Sequence, residues 1–558
     1  MSVFIGYPSF MAYQMMKGKK GNNDGFPPIP GMIARYSALG LTNEEMSKNP
    51  VWVDKTGNGH DLQMKNFAWS RMSGVGGYEM NFNLWTNNVP SISDISMSKT
   101  TTSVSVSVGN SAYNNNLIYI HKNNWDVNKN HWLKVASTYE DGDLVFKFYN
   151  DNNSKNIELP ANGYVNIPAY PEFKGSYMYI STTSNKQGSF TIEQLPLYPG
   201  ALVFDGVDDY GVCDNFPILT KEKGYTVVAL RQWITRGEIA QGLVSNVKNW
   251  LKNGAFLLEY RNIQAKHLNK PISFGAIGSE MDLSHILTYQ TSKSYNGVSI
   301  TTGNFEGTDV LHVGKLAPTN VGTCINAAIW EFVFLDHDAT EEELTKIKDY
   351  FVKTYPWLFP DQAWTVTGKT NEDEDRATIA NITGNGNDLI LSNFGFAEGS
   401  GYNEEGEYAG YLVTDGVDDE VRSSLFLFGN DFTVVGEWEF LQEDSNVLAG
   451  FNKNYAYFVL YNYISGVNVY VKNSKGTSIR NTKTLKAVTS EGLIYTDFNS
   501  EQKVELADKV EANLPLYIAY NGNNYTKMAF KNLAIYPTVL SKDDCIKAYN
   551  YLQTLKAK

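Results

Sequence analysis

Asp205-Gly206-Val207-Asp208-Asp209 follows the apolar run Ala201-Leu202-Val203-Phe204, and the same five residues return as Asp415-Gly416-Val417-Asp418-Asp419 behind Tyr411-Leu412-Val413. A short apolar run entering an Asp- and Gly-rich turn reads as a strand leaving a sheet, and its exact recurrence points to a repeated unit. Three further matches keep their order around this anchor. Gly40-Leu41-Thr42-Asn43-Glu44 answers Gly368-Lys369-Thr370-Asn371-Glu372, and Thr56-Gly57-Asn58-Gly59-His60-Asp61-Leu62 answers Thr383-Gly384-Asn385-Gly386-Asn387-Asp388-Leu389. Near each end an apolar strand and a capped helix recur at an offset of 201 residues. The chain is a tandem duplication.

The spacings locate an interruption. Thr383 and Asp415 are 32 residues apart, whereas Thr56 and Asp205 are 149 apart, so the first copy carries about 117 extra residues, the size of a small domain. These spacings divide the chain into an N-terminal tail and linker (1–30), a split first copy (31–83 and 196–357), an insertion (84–195) and a plain second copy (358–558).

Within the 558 residues, aromatics make up 13% and Tyr alone numbers 35. Short β-branched and aromatic runs punctuated by Gly, Asn and Asp mark the chain as all-β. In the insertion, Val104, Val106 and Val108 alternate with serines, Leu144, Phe146 and Phe148 with Val145 and Lys147, and Phe190 and Ile192 with Thr191 and Glu193. Seven or eight such strands predict a small β-sandwich. In each copy an Asn-Gly pair (Asn58-Gly59, Asn385-Gly386) predicts a tight hairpin turn with φ > 0 at both adjacent positions, followed by a strand with an aromatic pair, Phe67 and Trp69 or Phe394 and Phe396. Thr340-Glu341-Glu342-Glu343 is a capping box, with Ser541-Lys542-Asp543-Asp544 at the matching place.

The formal net charge of −13 argues against nucleic acid or anionic lipid as the main partner, because both need a basic face. Cys213, Cys324 and Cys545 are too few and too scattered for a disulfide framework or a zinc site, which suits folding in a reducing compartment. No run approaches the roughly 20 apolar residues of a membrane span. The opening MSVFIGYPSFMAYQMM lacks the basic start and small-residue cleavage site of a secretory signal. Its apolar residues Phe4, Ile5, Tyr7, Phe10, Met11 and Tyr13 form a docking peptide behind a polar, Pro-rich linker, or else a tail folded back on its own first domain.

The strand entering Phe-Asp-Gly-Val-Asp-Asp-Tyr, together with the parallel closing segments AIWEFVFLDHDATEEELTKIKDYF and AFKNLAIYPTVLSKDDCIKAYNYL, resembles the concanavalin A-like, laminin-G-like jelly rolls. The resemblance covers both copies and leaves out the insertion. It implies two concanavalin A-like (laminin-G-like) jelly-roll sandwiches in tandem, with a small β-sandwich inserted in the first. Strings such as Gly368-Lys369-Thr370-Asn371-Glu372-Asp373-Glu374-Asp375-Arg376 resemble virion proteins of phages that infect gut Bacteroidetes, of the crAss-like type. That likeness implies a head-fibre or tail-fibre appendage, assembled in the host cytoplasm, attached to other capsid or tail proteins and forming a homo-oligomer, a trimer as in other phage fibres.

The chemistry of the motifs fits a binding or structural role better than catalysis. Asp205, Gly206, Asp208, Asp209 and their partners Asp415, Gly416, Asp418, Asp419 read as turn residues, whose carboxylates bind nearby N–H groups; calcium is the alternative that the laminin-G likeness implies. Trp125, Trp132, Tyr113 and Tyr119 are candidates to stack on a host polysaccharide, with core packing as the competing account. A concanavalin A-like glycoside hydrolase would carry carboxylates alternating along one strand. The nearest string is Glu437-Trp438-Glu439, and the first copy has Leu230-Arg231-Gln232 in its place. No catalytic residues and no cofactor are therefore expected. A carbohydrate-binding adhesin of a gut bacterium is the second reading, and the insertion is expected to be excisable without loss of the host fold.

Overall fold

The strand Asn326–Leu335 runs through the centre of the larger sheet of the first copy, with Thr226–Trp233 along one edge. Its other edge is shared: Leu202–Asp205 pairs with the first half and Met32–Ser37 with the second. This computed structural model describes residues 24–88, 95–109, 116–150, 154–183, 187–219, 223–235, 241–247, 257–261, 286–299, 307–315, 324–428, 431–441, 446–452, 455–463, 466–471, 477–479, 485–496, 498, 500–503, 512–520 and 525–557. Facing the larger sheet is a six-stranded one, including Leu62–Lys65, Tyr210–Asp214 and Gly307–Val313, and all described strands pair antiparallel.

The second copy repeats this plan. Met528–Tyr536 takes the central place, Thr433–Phe440 lies along one edge, and Tyr411–Val413 and Gln362–Thr365 divide the other. Even the irregularity is kept. The ladder slips between Leu230 and Arg231, leaving Trp330 unpaired, and again between Glu437 and Trp438, leaving Lys531 unpaired. A bulge turns two successive side chains to one face, and here it sends Trp330 and Glu331 together toward the helix that closes the copy.

These central strands read as unbroken apolar runs because both of their faces are buried. Ala327, Ile329, Phe332 and Phe334 enter the core between the sheets, while Ala328, Trp330, Val333 and Leu335 pack under the helix Glu341–Thr354. That helix opens with the reciprocal cap expected from its sequence: Thr340 Oγ1 accepts from the Glu343 N–H, and the Glu343 carboxylate accepts from the Thr340 N–H. At the start of Lys542–Gln553, Ser541 Oγ accepts from the Asp544 N–H and donates to the Asp544 carboxylate. Among the described residues, no helix is long and apolar enough to cross a membrane.

The insertion forms two five-stranded sheets around its own core of Val104, Val106, Phe146, Phe148, Ile180 and Ile192. Ten strands are described, against the seven or eight expected. The chain enters and leaves through a two-stranded neck: Leu197 N–H donates to Gly77 O (2.9 Å), and the Gln194 side-chain amide to Met80 O (2.6 Å).

One apolar cluster joins all three parts. It holds Trp330 and Tyr355 from the first copy, Tyr536 and Leu552 from the second, and Trp132 and Tyr164 from the insertion. At about 1.5–3 kcal/mol for each large side chain removed from water, this shared core holds the units together more firmly than a polar contact between beads would.

Three local expectations need correction. The Asn-Gly turns place positive φ on Gly57 and Gly59, and on Gly384, Gly386 and Asn387, not on Asn58. Asn58 keeps an ordinary backbone and donates its side-chain amide to Ile33 O (2.8 Å), as Asn385 does to Asp361 O (2.7 Å). The aromatic pairs lie beyond the strands Leu62–Lys65 and Leu389–Ser392, in turns where Asn66, Trp69, Asn393 and Phe396 take positive φ. The described end of the N-terminal linker is not held away from the body, for Phe26 and Ile29 are buried in the shared cluster.

Candidate functional site

Each Asp-Gly-Val-Asp-Asp turn is tied down by its own hydrogen bonds. Asp209 Oδ2 accepts from the Asp205 N–H (3.0 Å) and its Oδ1 from Ser73 Oγ (3.0 Å), while Asp205 Oδ1 accepts from the Val207 N–H (2.8 Å). The second copy repeats the set through Asp419, Ser400, Asp415 and Val417. Gly206 and Gly416 take φ +82° and +79°. Burial, and then the charge of Asp205, push the Asp209 carboxyl up to about 7; burial likewise lifts Asp419 to about 6. The three carboxylates of each turn offer oxygens within 4.8 Å of one another, the arrangement a calcium ion would use. In each turn, however, both oxygens of the buried Asp already serve a serine hydroxyl and a backbone N–H, which accounts for the motif as an element of folding.

The four aromatic candidates of the insertion separate. Trp125 is buried in its core against Phe146 and Trp85, so it offers no ring to a ligand. Trp132 lies against Phe498 and Tyr549 of the second copy, at ring distances of 6.1 and 5.6 Å, which makes it an internal joint. Tyr113 lies outside the described residues, as do Phe4, Ile5, Tyr7, Phe10, Met11 and Tyr13. Tyr119 alone reaches a surface on which aromatic rings gather.

That surface follows from strand alternation. In the sheet containing Asn116–His121, Leu144–Tyr149 and Tyr177–Thr182, Phe146, Phe148, Met178, Ile180 and Ile120 point into the core. The alternate positions face outward, and the register sets Tyr179 between Tyr119 and Lys147, and Tyr177 between His121 and Tyr149. The rings interlock: Tyr119 meets Tyr177 edge-on at 5.2 Å, Tyr149 meets Tyr179 at 5.5 Å, and the Lys147 ammonium lies 5.3 Å from the Tyr149 ring. Tyr149 and Tyr177 are 36% and 38% exposed. Reading the sequence alone singles out Tyr119 and passes over its neighbours Tyr149, Tyr177 and Tyr179. The spacing Tyr177-x-Tyr179 was the available signal, but cross-strand register was needed to bring it beside Tyr119.

The carboxylates that most resemble catalytic groups are structural in placement. Glu437 is buried and accepts from Tyr411 and from Tyr549 (2.8 Å) beneath the last helix. Glu331, fully buried, forms an ion pair with Arg35 (2.9 Å) and accepts from Tyr355 (2.8 Å). Burial pushes its carboxyl above the ordinary range, against the pull of the arginine.

No protein-family model matches this chain, and no curated protein matches it. Among solved structures it is similar to Trypanosoma rangeli sialidase in complex with sialic acid, with 10% identity, 81% of this chain and 82% of that chain covered, and a TM-score of 0.25. It is also similar to the botulinum neurotoxin type G receptor binding domain (10% identity, 33% and 49% covered, TM-score 0.21). The binding domain of paraclostridial mosquitocidal protein 1 behaves alike (12% identity, 33% and 50% covered, TM-score 0.21). Likenesses this slight carry no argument about what this chain binds or does, and none of them supports the virion assignment suggested by the sequence strings.

Proposed function

We propose that the chain is a non-enzymatic structural appendage protein of a virion, built on tandem concanavalin A-like jelly rolls, that displays its inserted β-sandwich toward host surface glycans. The observation that supports this reading is the single apolar cluster shared by Trp330, Tyr536 and Trp132, which packs residues of all three parts of the chain against one another. A rigid stack that carries a side domain on a narrow neck suits presentation at a distance. In this reading the apolar N-terminal segment docks the stack to a capsid or tail protein, and three copies share the attachment. The test is mass spectrometry of particles purified from a culture carrying the encoding genome. Recovery with the particles, lost when residues 1–23 are deleted from a chain that still folds, is the expected result. Recovery only as free protein would favour the adhesin reading instead, and release of reducing sugar from host capsule would restore the hydrolase.

A further inference from the structure

The insertion has two outer faces, and they differ. The sheet containing His131–Ser137 and Asn162–Ile167 turns Trp132 and Tyr164 into the shared cluster, so that face is covered by the second copy. The tyrosine-bearing sheet lies on the far side of the insertion's core and therefore faces away from the body. We propose that this outer face, formed by Tyr119, Tyr149, Tyr177 and Tyr179 with Lys147 and His121, binds an acidic glycan. The proposal rests on the display reading above and assigns it a ligand class and a place.

Chemistry selects the occupant. A protein–protein interface is enriched in Met and Arg as well as aromatic residues, and depleted of Lys. Here the exposed outward positions of three adjacent strands carry phenols, an imidazole and an ammonium, and the one outward aliphatic residue, Val145, is buried. Each tyrosine presents an apolar ring with a hydroxyl at its tip, which matches a sugar whose C–H faces alternate with hydroxyl groups. The rings already hold one another edge-to-face, so little side-chain freedom remains to be lost on binding. Charge gives the sign. The chain as a whole carries −13, yet none of the outward positions on these three strands is Asp or Glu. Lys147 lies among the rings, and the one carboxylate on this face among the described residues, Glu158, sits on the edge strand Lys155–Leu159 across from Val145, away from the tyrosines. A carboxylated sugar complements that local charge, and a neutral one leaves it unused.

The experiment applies the full-length protein to an immobilised array of uronic acid- and sialic acid-containing oligosaccharides beside neutral glucans and mannans. Binding to acidic members, weakened about tenfold or more by Tyr177→Ala with Tyr179→Ala, is expected. Lys147→Gln should abolish the preference for acidic over neutral members, and added salt should weaken binding to the acidic ones. Circular dichroism and melting of each variant show that it remains folded; should the double tyrosine variant fail to fold, Tyr177→Ser alone takes its place. No binding to any acidic member, binding to neutral members only, or acidic binding indifferent to these substitutions would each overturn the assignment. These outcomes are separate from the particle test: a protein found in virions that binds no acidic glycan loses this site and keeps the appendage role.

Discussion

Glu331 and Glu437 stand at one place in the two copies but on opposite members of the same strand pair. Glu331 lies across from Leu230, and at the equivalent rung Asn532 lies across from Glu437. The carboxylate has changed strands while keeping its position under the closing helix, and its partners changed with it. Arg35 serves Glu331, whereas Ala363 occupies the position of Arg35 in the second copy, and Glu437 accepts from the hydroxyls of Tyr411 and Tyr549 with the Lys531 ammonium 3.9 Å away.

Arg35→Ala should therefore be severe. It leaves Glu331 buried without a cation and removes the contacts of Arg35 with Asp24 (2.7 Å) and the Phe26 ring (4.1 Å). Breaking a buried pair from one side costs about 3–5 kcal/mol. The double change Arg35→Met with Glu331→Gln should recover more than half of that loss in urea titrations. A single variant within about 1 kcal/mol of the parent would show the pair to be unimportant, given that surface pairs contribute no more.

The Asp turns predict a pH dependence of definite sign. Folded carboxyls near 7 (Asp209) and 6 (Asp419) lie above the ordinary value of about 3.9, so the folded chain holds protons that the unfolded chain releases. Their contribution is full below pH ~4 and is lost as pH rises through about 6 to 7. The melting temperature of the parent relative to the Asp209→Asn, Asp419→Asn double variant should accordingly fall between pH 5 and pH 8, as followed by calorimetry. A constant difference would mean that both groups are ionised throughout.

Gly206→Ala tests the turn by geometry alone. At φ +82° a side chain is strained, and its Cβ would come within 2.9 Å of the Asn326 Cβ. A loss of about 1–2 kcal/mol or more is expected from the left-handed backbone before any clash is counted. Thermal melting reads it directly.

Replacing residues 80–194 by a short loop should leave both copies folded, because the neck brings Gly77 and Leu197 to hydrogen-bonding distance and every strand of the host sheets pairs outside the insertion. It should also cost stability in the second copy, where Phe498 and Tyr549 lose Trp132. Trp132→Ala alone should cost about 2–4 kcal/mol, somewhat less than a fully buried tryptophan. Limited proteolysis of the second copy would report the loosening. An unfolded circular dichroism spectrum for the excised chain would show that the insertion is integral to the host core.

The repeated turns were legible because turn chemistry is local. Asp, Asn and Gly at fixed offsets make the same bonds wherever they occur, as the paired sets around Asp54 and Asn381, or Asn43 and Asn371, demonstrate. The all-β class and the capped helices were legible for the same reason. What stayed hidden depends on distant pairing. Trp125 and Trp132 look alike in the sequence, and only the packing makes one a core residue and the other a joint. The tyrosine face was hidden because its members come from three strands, and Phe26 and Ile29 looked like linker because their burial is supplied by a helix more than 300 residues away.

The shared cluster also imposes an order of events on a chain made from its N-terminus. Met32–Ser37 waits for Glu331–Leu335, nearly 300 residues later, before its half of the sheet can close. The insertion needs nothing beyond its own strands, between Thr86–Asn87 and Gly188–Gln194, and so can fold on the ribosome while its host is still open. Its Trp132 face then has no cover until Phe498 and Tyr549 emerge. For the time it takes to synthesise some 300 further residues, at about 5–20 residues per second, the nascent chain carries an uncovered aromatic joint. A chain released at residue 357 would keep that joint bare.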